Sequence, residues 1–376
     1  MHLTDRIASF LGRVQTELFP SLEETWEGLT PQHLALLERL ELLQVERFVP
    51  VPRVPAVGAP LHDRRCLARA FLAKAFYNAT DTKAFRERLL VDHALRKICG
   101  WMTRRAVPSE ATFSRAFADF AETQLLDRVL EGHVITWLRD GVSRNASTDS
   151  SAIPARETPV TKAKPQLTGP KEAPPPPRPR GRRPKEAPPL PPPAPTRLER
   201  QVTQEPEIAL LELPTRCDVG GKTDSKGHTA WWVGYKLHVR VEESGLPLAA
   251  VTTAASVHDS QVAIPLMKLS DRRVTSLYEL MDRAYDAEAI RVASELAGHV
   301  AIIDYRKKRG AARAQELAPD RAEHYQDRTV VERFFSRLKD GCGGLMVRVR
   351  GHRKVHAHLM CGVLMIFAEQ LLRLGR

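Results

Sequence analysis

Apolar residues recur every three to four positions through most of the first 140 residues. Segments at about 32–45, 63–78, 83–99 and 109–139 carry this spacing, and breaks containing Pro or Gly separate them. No run among them alternates as a strand does, so residues 1–140 are predicted to form an all-helical domain with a DNA-binding role. One junction stands out. Asp92 to Gly100 reads as a helix ending at Gly, and Pro108-Ser109-Glu-Ala-Thr-Phe starts another, with Ser109 as N-cap and Arg115 in its second turn. Helix, short break and helix is compatible with a helix-turn-helix and equally with an ordinary helical hairpin.

From about residue 230 the period shortens. Trp231 to Val241 alternates roughly, a Gly-Leu-Pro turn follows at 245–247, and Leu248 to Ala254 reads as the second strand of a hairpin. Val257-His-Asp-Ser-Gln opens a helix through Met267, with Asp259 or Ser260 as its cap. Leu277 to Asp282 is strand-like, Asp286 to Ala297 helical, and His299 to Asp304 a strand. Strand, helix and strand within about 30 residues make a βαβ unit, so part of the sheet is parallel. Further on, Tyr325 to Lys339 has no Gly or Pro and reads as one amphipathic helix. At about 100° per residue, Tyr325, Arg328, Glu332 and Lys339 share an arc of about 60°. Val331, Phe334 and Leu338 lie roughly opposite, as a core-facing stripe would.

Composition adds a partner. The 376-residue chain carries a formal charge of +12 and a pI of about 9.7, which points to a polyanion, with nucleic acid as the default. From Asp304 onward 16 Lys/Arg face 8 Asp/Glu, which makes Arg348, Arg350, Arg353 and Lys354 candidate DNA-backbone contacts. Leu359 to Ala368 is too short an apolar run to span a bilayer, and no signal peptide is visible, so a cytoplasmic protein is expected. The five cysteines form no C-x-x-C pair, and the spacing of His352, His356 and His358 matches no standard zinc site. Residues 158–200 hold 13 prolines between Pro170 and Pro195, a composition that builds an extended, disordered connector rather than a core. Its middle, Arg178-Pro-Arg-Gly-Arg-Arg-Pro-Lys185, resembles the AT-hook of minor-groove binders, with one additional Arg before the Pro; its charge supports generic phosphate attraction rather than groove reading.

The carboxylates supply the chemistry. Asp282 is predicted at the C-terminal end of a buried strand, where α/β sheets place their sites. Glu332 comes from a helix that can pack beside it. Two acids brought together on a basic protein repel unless hard cations lie between them, and such a pair can hold two Mg²⁺ ions for an in-line phosphoryl displacement. The third ligand is open among Asp140, Asp149, Asp218, Asp224 and Asp259. His258 next to Asp259 is read as part of a helix start rather than as a general base. Trp231 and Trp232 are candidates for stacking on unpaired bases, or for core aromatics.

The chain resembles the DDE transposases of bacterial insertion sequences, in the group marked by Tyr-(2)-Arg-(3)-Glu-(6)-Lys. Tyr325, Arg328, Glu332 and Lys339 match all three gaps. Met281-Asp282-Arg-Ala-Tyr285-Asp286 is similar to the family's second aspartate block. Thr148-Asp149-Ser-Ser-Ala-Ile-Pro-Ala-Arg156-Glu157 corresponds to the first, and Gly234-Tyr-Lys-Leu-His and Ala255-Ser-Val-His-Asp259 also look like family blocks. The resemblance implies a ribonuclease-H-like catalytic domain over 141–376, a mixed five-stranded sheet flanked by helices and interrupted at 158–200. It further implies Asp149, Asp282 and Glu332 as metal ligands for two Mg²⁺ ions, replaceable by Mn²⁺. Tyr325, Arg328 and Lys339 would grip DNA phosphates. The expected partners are the element's terminal repeats, target DNA and a second copy in a synaptic homodimer, in a bacterial, nucleoid-associated setting. Cleavage followed by transfer of the 3′-hydroxyl is the expected reaction; a nuclease of the same fold, or a decayed DNA-binding protein, are the alternatives. Two departures from the family pattern shape the expectations. Gly141 to Thr148 is more polar than a central strand should be, which predicts a weak strand before Asp149. The short interval from Asp282 to Glu332 predicts a compact domain.

Overall fold

Short polar side chains cap the first five described helices of the N-terminal region, Ser109 among them as the sequence predicted. In the computed structural model, which describes residues 29–50, 62–138, 141–160, 194–223, 227–305 and 316–375, Thr30 caps α1 (Pro31–Leu43) in a capping box with His33. Asp63 caps α2 (Arg64–Phe76), Asp81 caps α3 (Thr82–Val91), Asp92 caps α4 (His93–Ile98) and Ser109 caps α5 (Glu110–Glu122). α6 (Leu125–Leu138) follows. The predicted helix over 83–99 is split, because Asp92 adopts extended backbone and its carboxylate caps α4. The predicted helix over 109–139 is split at Gln124, which has a positive φ. Residues 99–109, including a 3₁₀ turn at Arg104–Ala106, join α4 to α5. That connection is longer than the 3–4 residues of a helix-turn-helix, and α5 packs against α3 rather than against α4.

The sheet has six strands: β1 (Val142–Pro154), β2 (Asp218–Thr223), β3 (Thr229–Glu242), β4 (Pro247–Ala254), β5 (Thr275–Met281) and β6 (Val300–Ile303). β4-β3-β1-β5-β6 are the five strands expected, with β3 antiparallel to β4 and β1, and β5 parallel to β1 and β6. β2 is an addition that pairs with the first half of β3. Gly234 is required at the junction of these pairings. Its φ is +153°, and a Cβ there would lie 2.2 Å from the Ile153 carbonyl oxygen.

β1 is the centre of the sheet, well formed despite its polar sequence, which corrects the weak strand expected there. Glu243 explains its start: the carboxylate accepts from the backbone N–H groups of Arg144 and Asn145 and from the Ser143 hydroxyl. Buried polar groups on a central strand are tolerated where partners meet them.

Helices cover both faces. α9 (Ser260–Asp271) and α10 (Glu288–Leu296) pack on Met281 and Ile303 of one face, with the short α7 (Arg197–Thr203) and α8 (Pro206–Leu211) outside them. On the other face lie α12 (Thr329–Gly341) and α13 (His352–Leu374). α11 (Pro319–Tyr325) precedes α12, with a 3₁₀ turn at Gln326–Arg328 between them, so the single helix predicted for 325–339 is interrupted before Thr329. α13 is long and apolar enough to cross a membrane by length alone, yet 78% of its apolar window is buried in the protein. One core cluster joins Leu36, Leu67, Phe113 and Val134 to Tyr235, Phe334 and Phe367. Position 140 therefore marks a change of secondary structure inside a shared core. The AT-hook-like segment, Asp140 and Asp224 lie outside the described residues.

Candidate active site

Strand register brings the first two acids together. β1 and β5 run parallel, their strands about 4.8 Å apart, and their last pair is Thr148 with Met281, so Asp149, midway along β1, and Asp282, just past the end of β5, follow that pair on neighbouring strands. Met281 faces α9 and α10, and side chains alternate, so the two aspartates belong to the opposite face, where α12 lies. Each has a local anchor. Asp149 Oδ1 accepts from the Ser150 N–H at 2.7 Å, and Asp282 Oδ1 accepts from the Ala284 N–H at 2.8 Å, capping the turn Arg283–Tyr285.

The turn carrying the predicted basic face is pinned to the strand by Asn145. Its amide Nδ2 donates to Asp327 Oδ2 at 2.5 Å, and its Oδ1 accepts from His324 Nδ1 at 3.0 Å. The His324 ring stacks on Tyr278 of β5, with centroids 4.1 Å apart. Arg328 then reaches back, with its guanidinium 3.4 Å from Asp149 Oδ2 and 2.5 Å from Glu332 Oε1. Glu332, 53% exposed, thus meets Asp149 through Arg328. The Tyr325 ring centroid is 5.8 Å from the same guanidinium.

Burial pushes the Asp149 carboxyl up to about 6. The Ser150 N–H opposes that, Asp282 adds to it, and Arg328 and Lys222 pull it back. Burial likewise raises the Tyr325 hydroxyl and lowers the Lys339 ammonium, the latter helped by repulsion from Lys222. Tyr285, the tyrosine three residues after Asp282, is fully buried and raised well above its ordinary range, mainly by burial and then by Asp259, Asp149 and Asp282. Two half-buried carboxylates side by side, with one guanidinium against them, form an oxygen-donor site with negative charge in excess. That chemistry fits hard divalent cations.

The other sequence candidates fall elsewhere. Asp259 stands at the N-cap position of α9, but its side chain does not cap it; it takes Lys236 Nζ at 2.8 Å instead, because that buried ammonium needs a counter-charge. Asp218 bonds its own neighbour's N–H at the start of β2. Arg348 reaches Asp81 and Arg353 reaches Glu122, while Arg350 is exposed and Lys354 half-buried. The three histidines diverge: His352 pairs with the Thr252 carbonyl, His356 with Asp127 and the Thr252 hydroxyl, and His358 with the Gly343 carbonyl. Among the described residues, the grouping of three potential ligands within 4.8 Å is Asp271, Glu279 and His299. Arg240 bonds both of its carboxylates, so the cluster is a charge-compensated tie between β3, β5 and α9. Sequence reasoning missed Asn145, His324 and Lys222. Only the polar positions of the central strand gave a signal, and that signal was read as weakness.

Two family models match the chain. Residues 203–367 match a model described as "Transposase DDE domain", and residues 34–119 match one described as "Transposase domain (DUF772)", together about two thirds of the length. No curated protein and no solved structure matches. Asp282, Tyr325, Arg328, Glu332 and Lys339 lie within the first match; Asp149 lies outside both.

Proposed function

The chain belongs to the DDE transposases of insertion-sequence type, and from that premise we propose that Asp149, Asp282 and Glu332 are its catalytic carboxylates, cutting the DNA ends of its element and joining them to target DNA. The family is one of metal-dependent, DNA-cleaving enzymes with a ribonuclease-H-like fold. The observation that carries the residue assignment is that Asp149 and Asp282 directly follow the last pair of the adjacent parallel strands β1 and β5, with Arg328 reaching from Asp149 to Glu332. When bound, two divalent cations (Mg²⁺, with Mn²⁺ as a substitute) supply Lewis acidity to the attacking and leaving oxygens of an in-line displacement.

The chain's own groups do the rest. Asp149 must be ionised to act as a ligand, and Arg328 and Lys222 favour that form. Arg328 holds a planar fork suited to a phosphate, so an arriving DNA backbone competes with the carboxylates for it. Tyr325 donates its hydroxyl to a phosphate oxygen. Lys339 acts as a point charge beside it. Asn145 and His324 keep the whole turn at a fixed distance from Asp149. Two copies acting together would hold both ends of the element.

A decayed, purely DNA-binding protein is the less favoured reading, because the strand bearing Asp149 is well formed, paired with β5 up to Thr148 and with β3 from Ala146 to Pro154. The test is Mg²⁺-dependent joining of a short terminal-repeat duplex to a plasmid. Joined product is expected from the wild type, and Glu332→Ala is expected to abolish it while repeat binding survives. Cleavage without joining would favour a nuclease, and binding without cleavage in Mg²⁺ or Mn²⁺ a regulator.

A further inference from the structure

The sheet stops holding β1 on one side just before Asp149. The ladder between β1 and β5 ends at Thr148, while that with β3 runs on through Ser150 to Pro154. Past Thr148 the Ser150 N–H turns to the Asp149 side chain and holds Oδ1 at 2.7 Å, which leaves Oδ2 toward Arg328 at 3.4 Å. The bond that orients this carboxylate is only as firm as the backbone of Ser150, and that backbone has no ladder to β5.

A largely buried charge pair on the other face supplies the missing hold. Ser150 lies opposite His238 of β3 and Ala152 opposite Lys236, so the side chains of Ser150 and Lys236 share the face away from Asp149. There Asp259 accepts from the Ser150 hydroxyl and from Lys236 Nζ, the latter at 2.8 Å. Lys236 Nζ also donates to the Val257 carbonyl at 2.9 Å, so one ammonium fixes both the carboxylate and the chain leading to it. The Lys236 and Asp259 side chains are 13% and 24% exposed, and the Trp232 ring centroid lies 5.9 Å from the ammonium. Such enclosure strengthens each of these bonds relative to the same bond in water. Asp259 forgoes the cap of its own helix, α9, to make them. It also backs Asp282. Tyr285, on the turn that Asp282 caps, is 1% exposed in the core cluster of Ala263, Ile264 and Met281, and the carboxylate acting most on its hydroxyl is Asp259, ahead of Asp149 and Asp282.

We infer that Asp259, charge-paired with Lys236, is a positioning residue for Asp149: it fixes Ser150, whose N–H then keeps Asp149 Oδ2 presented to the cleavage site. The inference rests on the reading of Asp149 and Asp282 as ligands of divalent cations. Mn²⁺ binding to the full chain is measured by electron paramagnetic resonance, beside the melting temperature and the kcat and KM of Mg²⁺-dependent cleavage of a terminal-repeat duplex. Asp259→Asn and Ser150→Ala are expected to weaken Mn²⁺ binding about tenfold, as loss of a group that orients a metal ligand does. Both should lower kcat and leave KM for the duplex unchanged. Ser150→Thr, which keeps the hydroxyl on a residue suited to a strand, should recover most of the loss. Arg69→Met, which breaks the 2.7 Å ion pair to Glu46 in the helical region, should lower the melting temperature without moving Mn²⁺ affinity. Wild-type Mn²⁺ affinity in Asp259→Asn or in Ser150→Ala overturns the inference. Complete loss in Asp259→Asn with no change in Ser150→Ala also overturns it, since Asp259 would then be a ligand itself. Mn²⁺ binding that is absent from the wild type, or that survives Asp149→Ala, overturns the carboxylate site and the inference with it. Binding lost in Asp149→Ala but unchanged in Asp259→Asn leaves that site standing and contradicts the positioning alone.

Discussion

Replacing Asn145 by Ala probes the link between the sheet and the turn that carries Arg328. Asn145 is 2% exposed and makes two side-chain hydrogen bonds, one to the Asp327 carboxylate at 2.5 Å and one from His324 at 3.0 Å. A bond to a charged acceptor contributes about 1.5–3 kcal/mol and a neutral one about 1 kcal/mol. Because Asp327 and His324 keep some access to water, the lower part of that range applies, about 3 kcal/mol in all. At a urea slope of about 3 kcal/mol per M, the unfolding midpoint should fall by about 1 M. The functional loss should be larger in kind. Arg328 and Glu332 follow the turn, and a shift of about 1 Å in a reacting group can cost a hundredfold. Urea melts followed by circular dichroism, with Mg²⁺-dependent strand cleavage measured on the same preparations, read both effects. Thr148→Val is the control, since the buried Thr148 hydroxyl has no hydrogen-bond partner among the described residues. It should leave stability unchanged or raise it slightly. An Asn145→Ala protein that melts and cleaves like the wild type would refute the claim that this residue positions the turn.

Glu242, buried at the β3–β4 hairpin, is pushed up to about 7 from its ordinary 4.5, chiefly by burial. The folded state therefore holds a proton that the unfolded state has released. This stability is fully present below about 4.5 and is lost as pH rises through about 7, by up to about 3 kcal/mol. Glu242→Gln should consequently melt higher than the wild type at pH 8 and about the same at pH 4.5, by calorimetry at both values. Gly234→Ala places a Cβ 2.2 Å from the Ile153 carbonyl, so it should lower the melting temperature sharply or leave the protein insoluble; a folded variant with a wild-type melt would contradict the close approach seen there.

The hairpin, the βαβ unit and the start of α5 were legible because each rests on local signals: alternation in Trp231 to Val241, the cap at Ser109, and the Gly-Leu-Pro turn. Asp282 was legible from its place after an apolar strand. The polarity of β1 was misread because its partners come from far away in sequence: Glu243 caps the strand start, and Asp327 and His324 meet Asn145. Period-2 reasoning has no access to such partners. The break before Thr329 was hidden for a different reason. A 3₁₀ turn changes the helical phase without needing Gly or Pro, so Tyr325 and Glu332 looked like positions on one regular helix. Asp259 satisfied every local criterion for a cap and was claimed instead by Lys236, a residue 23 positions earlier.

The most direct test of the central claim replaces each proposed ligand by cysteine, as Asp149→Cys, Asp282→Cys and Glu332→Cys in turn. Strand cleavage of a terminal-repeat duplex is measured in Mg²⁺ and in Mn²⁺. Mg²⁺ takes hard oxygen ligands and tolerates a thiolate poorly, whereas Mn²⁺ is less demanding. If the three carboxylates hold the cations, each variant should be inactive in Mg²⁺ and regain measurable cleavage in Mn²⁺, with Asp149→Cys the decisive case because its position lies outside the matched family domain. Full activity of any of the three in Mg²⁺ would contradict its role as a ligand, and no recovery in Mn²⁺ at any of them would contradict the site as a whole.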